Sequence, residues 1–349
     1  MKKIISIILS ICFLLATLVG CAQNNDVAKR DEEASDKISV ITTIFAPYDF
    51  VREIAGDDVD VSMLLSPGSE SHSYEPTPQD IINIQNCDVF IYVGGDSDEW
   101  VNQILEPMDT SKMKIIALMD CVDVVEEEIV EGMDGDHGHD HAHDTDGPWS
   151  FIQMIKNFFH NHDHDHDDEH DEGPEFDEHV WTSPKNAKKI VERISEVLCE
   201  VDDRHADNYQ ERTNAYLAQI DELDAAFQTV VDNSVRKTLL FGDRFPFRYF
   251  ADAYGLEYFA AFPGCSTDSE ASAATIAFLI DKVNAENIPV VFHAELSNQK
   301  MANIISEATG AKVLLLHACH NVTRDEMTDN ATYLSLMRQN VENLKEALN

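Results

Sequence analysis

Fifteen histidines are spread unevenly along the chain, and neutral imidazole is the side chain that most often binds first-row divalent metals near neutral pH. Nine of them, His137, His139, His141, His143, His160, His162, His164, His166 and His170, alternate with acids in "HGHDHAHD" and "HNHDHDHDDEHDE". Such a tract requires no fold, and its spacing suits many weak, exchanging zinc sites rather than one rigid cage. A selective site has to come from the other six. His72 stands in the loop after a strand ending at Leu65, and His179 stands in "FDEHVWTSP". His293 ends the strand "PVVF", His317 ends "KVLLL", and His320 follows three residues later. His205 lies among polar residues of a long helix and reads as solvent-exposed. A single histidine at a strand end is usually a satisfied polar group; five of them beside strands and cleft-like loops point to ligands converging on one ion.

The elements that must position them alternate. "ISVITTI" reads as a buried strand, and a helix follows from Pro47 to near Gly56. "VDVSMLL" is a strand, and Thr77-Pro78 with Asp80 marks the start of a helix. "DVFIYVGG" and "KIIAL" are strands around the short helix "SDEWVNQIL". From Ser183 the pattern is helical, ending in almost thirty residues, "RHADNYQERTNAYLAQIDELDAAFQTVVDN", without Gly or Pro. A helix of that length spans roughly 40–45 Å, enough to join two lobes. Then "RKTLLFG", "LEYFAAF", "IPVVFHAE" and "AKVLLLHAC" alternate with helices, the last running from about Thr328. This rhythm predicts an α/β protein: two lobes with central parallel sheets joined by one long rigid helix, and a cleft between them. In such sheets ligands bind beyond the carboxyl ends of the strands, where three of the five histidines fall.

The expected boundaries are a signal segment 1–20, a tether 21–36, an N-terminal lobe 37–182 interrupted by the His/Asp-rich insertion 131–173, a helical connector 183–233 and a C-terminal lobe 234–349. The opening "MKKIISIILSICFLLATLVGC" has two lysines, an apolar run too short for a span of about 20 residues, and a terminal Leu-Val-Gly-Cys. That pattern predicts lipidation at Cys21 and a place outside the cytoplasm, with the membrane reached through the lipid only. A formal charge of −40 excludes nucleic-acid partners. Cys87, Cys121 and Cys199 read as small core residues, whereas Cys265 in "FPGCST" and Cys319 in "HACHN" stand in loops where a disulfide is possible. The segment "GPWSFIQMIKNFFHN", with Trp149, Ile152, Ile155 and Phe159 at helical spacing, suits a short amphipathic helix.

"PGSESHSYEPTPQD", "DEHVWTSPKNA" and "YGLEYFA" resemble the metal-binding solute-binding proteins of bacterial ABC importers, specifically the zinc-uptake lipoproteins, from about Ile38 to the C-terminus. The resemblance implies the two-lobed fold, a Zn2+ ion as transported ligand, a membrane permease as partner and a monomer. It implies His72 and His179 as the N-terminal lobe's ligands, and many zinc-type members carry a His/Asp-rich insertion. The C-terminal lobe departs from the family pattern. A histidine usual before the helix leading to "YGL" is absent from "FGDRFPFRYF", where Asp243 and Arg244 stand, and "LLLHACHNV" replaces an Asp-Pro-Leu turn. The missing ligand is then supplied by His293 or His317, with His320, Glu295 and Asp243 as alternatives. Arg244, always charged and donor-only, suits an acid rather than a metal. More histidine than carboxylate favours zinc over manganese. A manganese-binding protein or a surface adhesin on the same scaffold are alternative readings. A zinc hydrolase is disfavoured, because the chain has no H-E-x-x-H and no Gly-x-Ser-x-Gly.

Overall fold

Two parallel sheets and a pair of long helices carry the architecture in the computed structural model, which describes residues 37–69, 74–133, 175–266 and 271–349. Cys21, His72, the His/Asp-rich tract and the segment 149–159 lie outside the described residues. In the first sheet β1 (Ile38–Thr42), β2 (Val59–Met63), β3 (Val89–Tyr92) and β4 (Lys114–Ala117) run parallel in the order β2-β1-β3-β4. Val40, Ile41, Val89, Phe90 and Ile91 are all buried, as the near-continuous apolar runs of a sheet covered on both faces require.

Helix α1 (Phe45–Ala55) follows β1, α2 (Pro78–Gln85) follows β2 and α3 (Glu99–Leu105) follows β3. The start of α2 is set locally: the Asp80 amide donates to the Thr77 hydroxyl, the Thr77 amide donates back to the Asp80 carboxylate, and Pro78 fills the first position. Helix α1 begins at Phe45 rather than at Pro47, because the carbonyl of His320, from the far end of the chain, accepts the Phe45 amide.

The expected connector is two helices, α4 (Pro184–Val201) and α5 (Ala206–Asp232), the latter roughly 40 Å long. Helix α5 packs on α4 and α1 along one part of its length. Its buried Tyr209, Tyr216, Ile220, Leu223 and Phe227 recur at helical spacing.

Beyond it come β5 (Thr238–Leu240), β6 (Arg244–Phe245), β7 (Glu257–Phe259), β8 (Phe262–Pro263), β9 (Val290–His293) and β10 (Lys312–Leu315). Parallel pairs β5-β7 and β9-β10 are joined by a parallel bridge between Phe241 and Phe292. The resulting order, β7-β5-β9-β10, repeats that of the first sheet. The two-residue strands β6 and β8, which pair with each other, were not legible from the sequence. Helices α6 (Arg248–Tyr254), α7 (Ala273–Glu286), α8 (Lys300–Thr309), α9 (Arg324–Thr328) and α10 (Tyr333–Leu348) complete the lobe. The final helix starts at Tyr333, later than expected, because "TRDE" forms a capping box of its own and Asn330 turns the chain at φ 55°.

Helices α6 and α10 also pack on α5. One apolar core therefore runs without a break from Val40 and Ile91 through Tyr216 and Phe227 to Phe241, Val290 and Leu348. Each sheet reverses its direction of growth between its first and third strands in chain order, which is where a ligand crevice forms in open α/β sheets.

Candidate metal centre

His179 stands just before a single 3-10 turn, Val180–Thr182, that links the insertion to α4. It is 1% exposed. Asp177 prepares it: one carboxylate oxygen accepts the His179 amide at 2.8 Å and lies 3.2 Å from Nδ1 of the same residue. A carboxylate can only accept, so Nδ1 carries the proton, the ring tautomer found in carboxylate–histidine–zinc arrangements. Burial lowers the basicity of the ring, but the charge and hydrogen bond of Asp177, with Glu178 and Glu127, outweigh it and hold the imidazole's pKa above its ordinary value. The Tyr249 hydroxyl donates to the Asp177 carbonyl at 2.7 Å, which ties this turn to α6. Gly264 backs the pair so closely that a Cβ there would lie 3.1 Å from Asp177 Oδ2 and 3.2 Å from His179 Nδ1.

Facing His179 is His320, with ring centroids 5.5 Å apart and planes at 79°. Trp181 packs edge-on to the His320 ring at 5.0 Å, and its indole N–H donates to the Ala318 carbonyl at 2.7 Å. The loop that carries His320 is gripped from both lobes. Glu295 accepts the amides of Ala318 and His320 on its two oxygens, at 2.7 and 2.8 Å. From the other lobe, α1 gives its Phe45 amide to the His320 carbonyl, and the Asn321 side chain donates to the carbonyls of Ser66 and Ser69 at 2.9 and 2.8 Å. The loop leading to His72 is thus tied to the residue after His320. Cys319, between the two histidines, is held at φ 58°, a left-handed conformation that costs a non-glycine residue about 1 kcal/mol or more and persists only where its surroundings enforce it.

The remaining candidates are placed differently. His317 is 2% exposed and turned into the C-terminal lobe. Its Nδ1 accepts the Cys319 amide at 2.9 Å, its own amide goes to Asn340, and its Nε2 lies 3.7 Å from Glu326, an ion-pair distance rather than a hydrogen bond. Nδ1 must keep its lone pair to accept, so the ring supports the loop instead of facing His179. His293 is half-buried, and its Nδ1 donates to the Ala294 carbonyl at 2.8 Å. The Asp243 carboxylate accepts the amides of Arg244 and Ala294 at 2.9 and 3.3 Å, and so links β6 to the end of β9. Of the seven candidate ligands, the structure brings His179 and His320 face to face. Among the described residues no three His, Cys, Asp or Glu side chains form a ready cage, and His72 falls outside them. His205 is half-exposed with Nδ1 2.6 Å from Asp202, a helix-start contact rather than a solvated side chain.

The disulfide considered between Cys265 and Cys319 is not formed. Both are free thiols: Cys319 is buried under His317, and the Cys265 amide is held by Glu127 at 2.8 Å.

Sequence reasoning missed a small cavity beside His320. It measures ≈ 30 Å³ and is lined by Thr43, Tyr74, Asp98, Trp100, Glu178 and Trp181, at the carboxyl ends of β1 and β3. Glu178 is 4% exposed, its Oε1 accepts the Ser97 amide at 2.7 Å, and burial pushes its carboxyl up to about 7. In sequence this acid directly precedes His179 in "DEHVW".

A family model described as the periplasmic component A of the zinc-uptake complex matches residues 40–347. The chain belongs to that family. A zinc-binding lipoprotein, AdcA of Streptococcus pneumoniae, is 29% identical over 99% of this chain and 61% of its own length, so the chain spans under two thirds of that relative. The high-affinity zinc uptake system protein ZnuA of Bacillus subtilis is 28% identical over 98% of this chain and 96% of its own. Among solved structures, the Zn(II)-bound ZnuA-like domain of S. pneumoniae AdcA superposes with a TM-score of 0.67 at 26% identity, covering 89% of this chain and 99% of that domain. The zinc-uptake family fold, two α/β lobes with parallel sheets, is therefore the fold of this chain, as its motifs implied.

Proposed function

We propose that this chain is the zinc-binding component of an ABC importer, which captures Zn2+ outside the cytoplasm and passes it to a membrane permease. It is a carrier and not an enzyme. The observation that carries this reading is the opposition of His179 and His320 across the cleft, with Nδ1 of His179 committed to Asp177. The zinc-bound relatives and the family model support it. Zinc takes four nitrogen or oxygen ligands at about 2.0–2.2 Å. We assign His72 and His179 from the lobe 37–182 and His320 from the lobe 234–349, with 183–233 as connector. This assignment moves the C-terminal ligand from His293 and His317 to His320, because His320 is the ring that faces His179 and His317 is spent on its own loop. In this reading Cys21 anchors a monomer to the membrane surface; among the described residues no helix is long and apolar enough to cross a membrane. The tract from His137 to His170 collects metal near the cleft without forming the tight site.

Zinc titration of the protein with and without residues 131–173 tests this. One tight equivalent should survive the deletion and be lost in His179→Ala and in His320→Ala. Tight binding that disappears with the tract, while both alanine variants bind as before, would move the site into the tract.

A further inference from the structure

The family pattern accounts for histidines; it does not account for the cavity beside His320. That cavity lies at the point where the N-terminal sheet reverses direction, and its ≈ 30 Å³ exceeds the roughly 10–15 Å³ that one water needs. Its lining combines the His320 ring with Thr43 and two buried carboxyl groups, Asp98 and Glu178. Thr43 is 5% exposed, and its hydroxyl oxygen is buried without a hydrogen-bond partner among the described residues. An orphaned buried hydroxyl is costly unless something occupies the space before it.

The two acids are not equivalent. Asp98 is spent locally, with Oδ2 accepting the amides of Val93 and Gly94 at 2.8 and 3.2 Å. Glu178 is held from one residue, Ser97, whose amide donates to Oε1 at 2.7 Å and whose side chain is a further partner, the manner in which surrounding groups orient a ligating carboxylate. Room for it is made by Gly95, at φ +80°, where a Cβ would lie 2.5 Å from Glu178 Oε1. The other carboxylates near the His320 loop, Glu295 and Asp243, each hold two backbone amides.

We propose that Glu178 is an oxygen ligand of the transported ion, bound at the His320 edge of this cavity, and that the Thr43 hydroxyl holds a water remaining on the ion. This rests on the zinc-carrier reading above and adds a donor to it. The ion then takes an anionic donor from the residue adjacent to His179, and its shell is part imidazole and part carboxylate. No bond is made or broken beyond exchange of ligand water.

Cobalt(II), added at half an equivalent to the full-length protein so that it fills the tightest site, reports the donor set through its visible absorption. Glu178→Gln should change the position and intensity of that band and weaken zinc binding on the order of 10–100-fold, and Glu178→Asp should recover part of the loss. The melting temperature of the metal-free variant reads folding separately. A Glu178→Gln spectrum superimposable on wild type, while His320→Ala alters it, would overturn the assignment and leave the histidine site standing. If His179→Ala, His320→Ala and Glu178→Gln all leave the spectrum unchanged, the zinc-carrier geometry itself fails.

Discussion

His179 and His317 are both buried, both within 4 Å of a carboxylate and both next to a loop of the cleft, yet they are placed for opposite tasks. The Nδ1 of His179 faces an acid, which fixes the proton there, the tautomer that the proposed zinc site requires. The Nδ1 of His317 accepts a backbone amide, which forces the proton to Nε2 and aims it at Glu326. Burial and a neighbouring acid do not distinguish a ligand from a prop. What decides is which ring nitrogen the protein has already used.

The sharpest way to break this comparison is to remove each ring. His179→Ala should reduce zinc affinity by about three orders of magnitude or more, since a ligand of a four-donor site is lost, with little change in the metal-free melting temperature. His317→Ala should do the reverse. It orphans the Cys319 amide and empties a buried site, costing roughly 1–3 kcal/mol of stability, while zinc affinity falls less than tenfold. Equal zinc losses in the two variants would make His317 a ligand and cancel the distinction.

A third buried group sets the pH background for both. The carboxylate of Asp49, on α1, accepts the first amide of α10 at 2.7 Å, and burial pushes it up to about 7 despite that amide and Arg52. Unfolded, it ionises near 3.8. Between those values the folded chain holds the extra proton, so this group's contribution to stability is greatest at the acid end and is lost as pH rises from about 4 to 7. The loss is roughly 4 kcal/mol at most. Asp49→Asn should flatten that slope in denaturant titrations at several pH values; a slope that persists would place its origin elsewhere.

Asp177→Asn sharpens the comparison further. It should cost about 10–100-fold in zinc affinity with the ligand still present. It should also shift the pH dependence. In the wild type the proton competes with metal from above the ordinary imidazole value of about 6.5, because Asp177 raises the pKa of His179. Without that charge the loss of zinc binding should begin at lower pH. The smallest effect belongs to Gly95→Ala, which must displace the Glu178 carboxylate; a few-fold weakening of zinc binding, with wild-type affinity for Gly95→Ala counting against a role for that contact.

Much of this was readable in the chain. Alternating apolar runs and the Thr77-Pro78-Asp80 start fixed strands and helices to within a few residues, since those signals are local. His72 and His179 were named from the motifs "PGSESHSYEPTPQD" and "DEHVWTSPKNA"; His179 lies buried beside Asp177, and His72 is outside the described residues. The difference between His317 and His320 was not legible. "HACH" offers two imidazoles three apart, and only the left-handed turn at Cys319, with Glu295 gripping two amides, sends His320 to the cleft and His317 inward. Long-range contacts made that choice. The same holds for the cavity, whose Thr43, Asp98 and Glu178 are distant in sequence and meet only once the first sheet is built.

The grip on the His320 loop has a kinetic side. His320 of one lobe is bonded through its backbone to the first helix of the other, and the next residue holds the loop that leads to His72. In the proposed arrangement the ion leaves only when those hydrogen bonds open, so its residence time should follow their lifetime rather than that of a hinge. The amide protons of Phe45 and His320 would be clocks for that event. Their exchange with solvent should slow when zinc is bound and quicken together when a chelator draws the ion out.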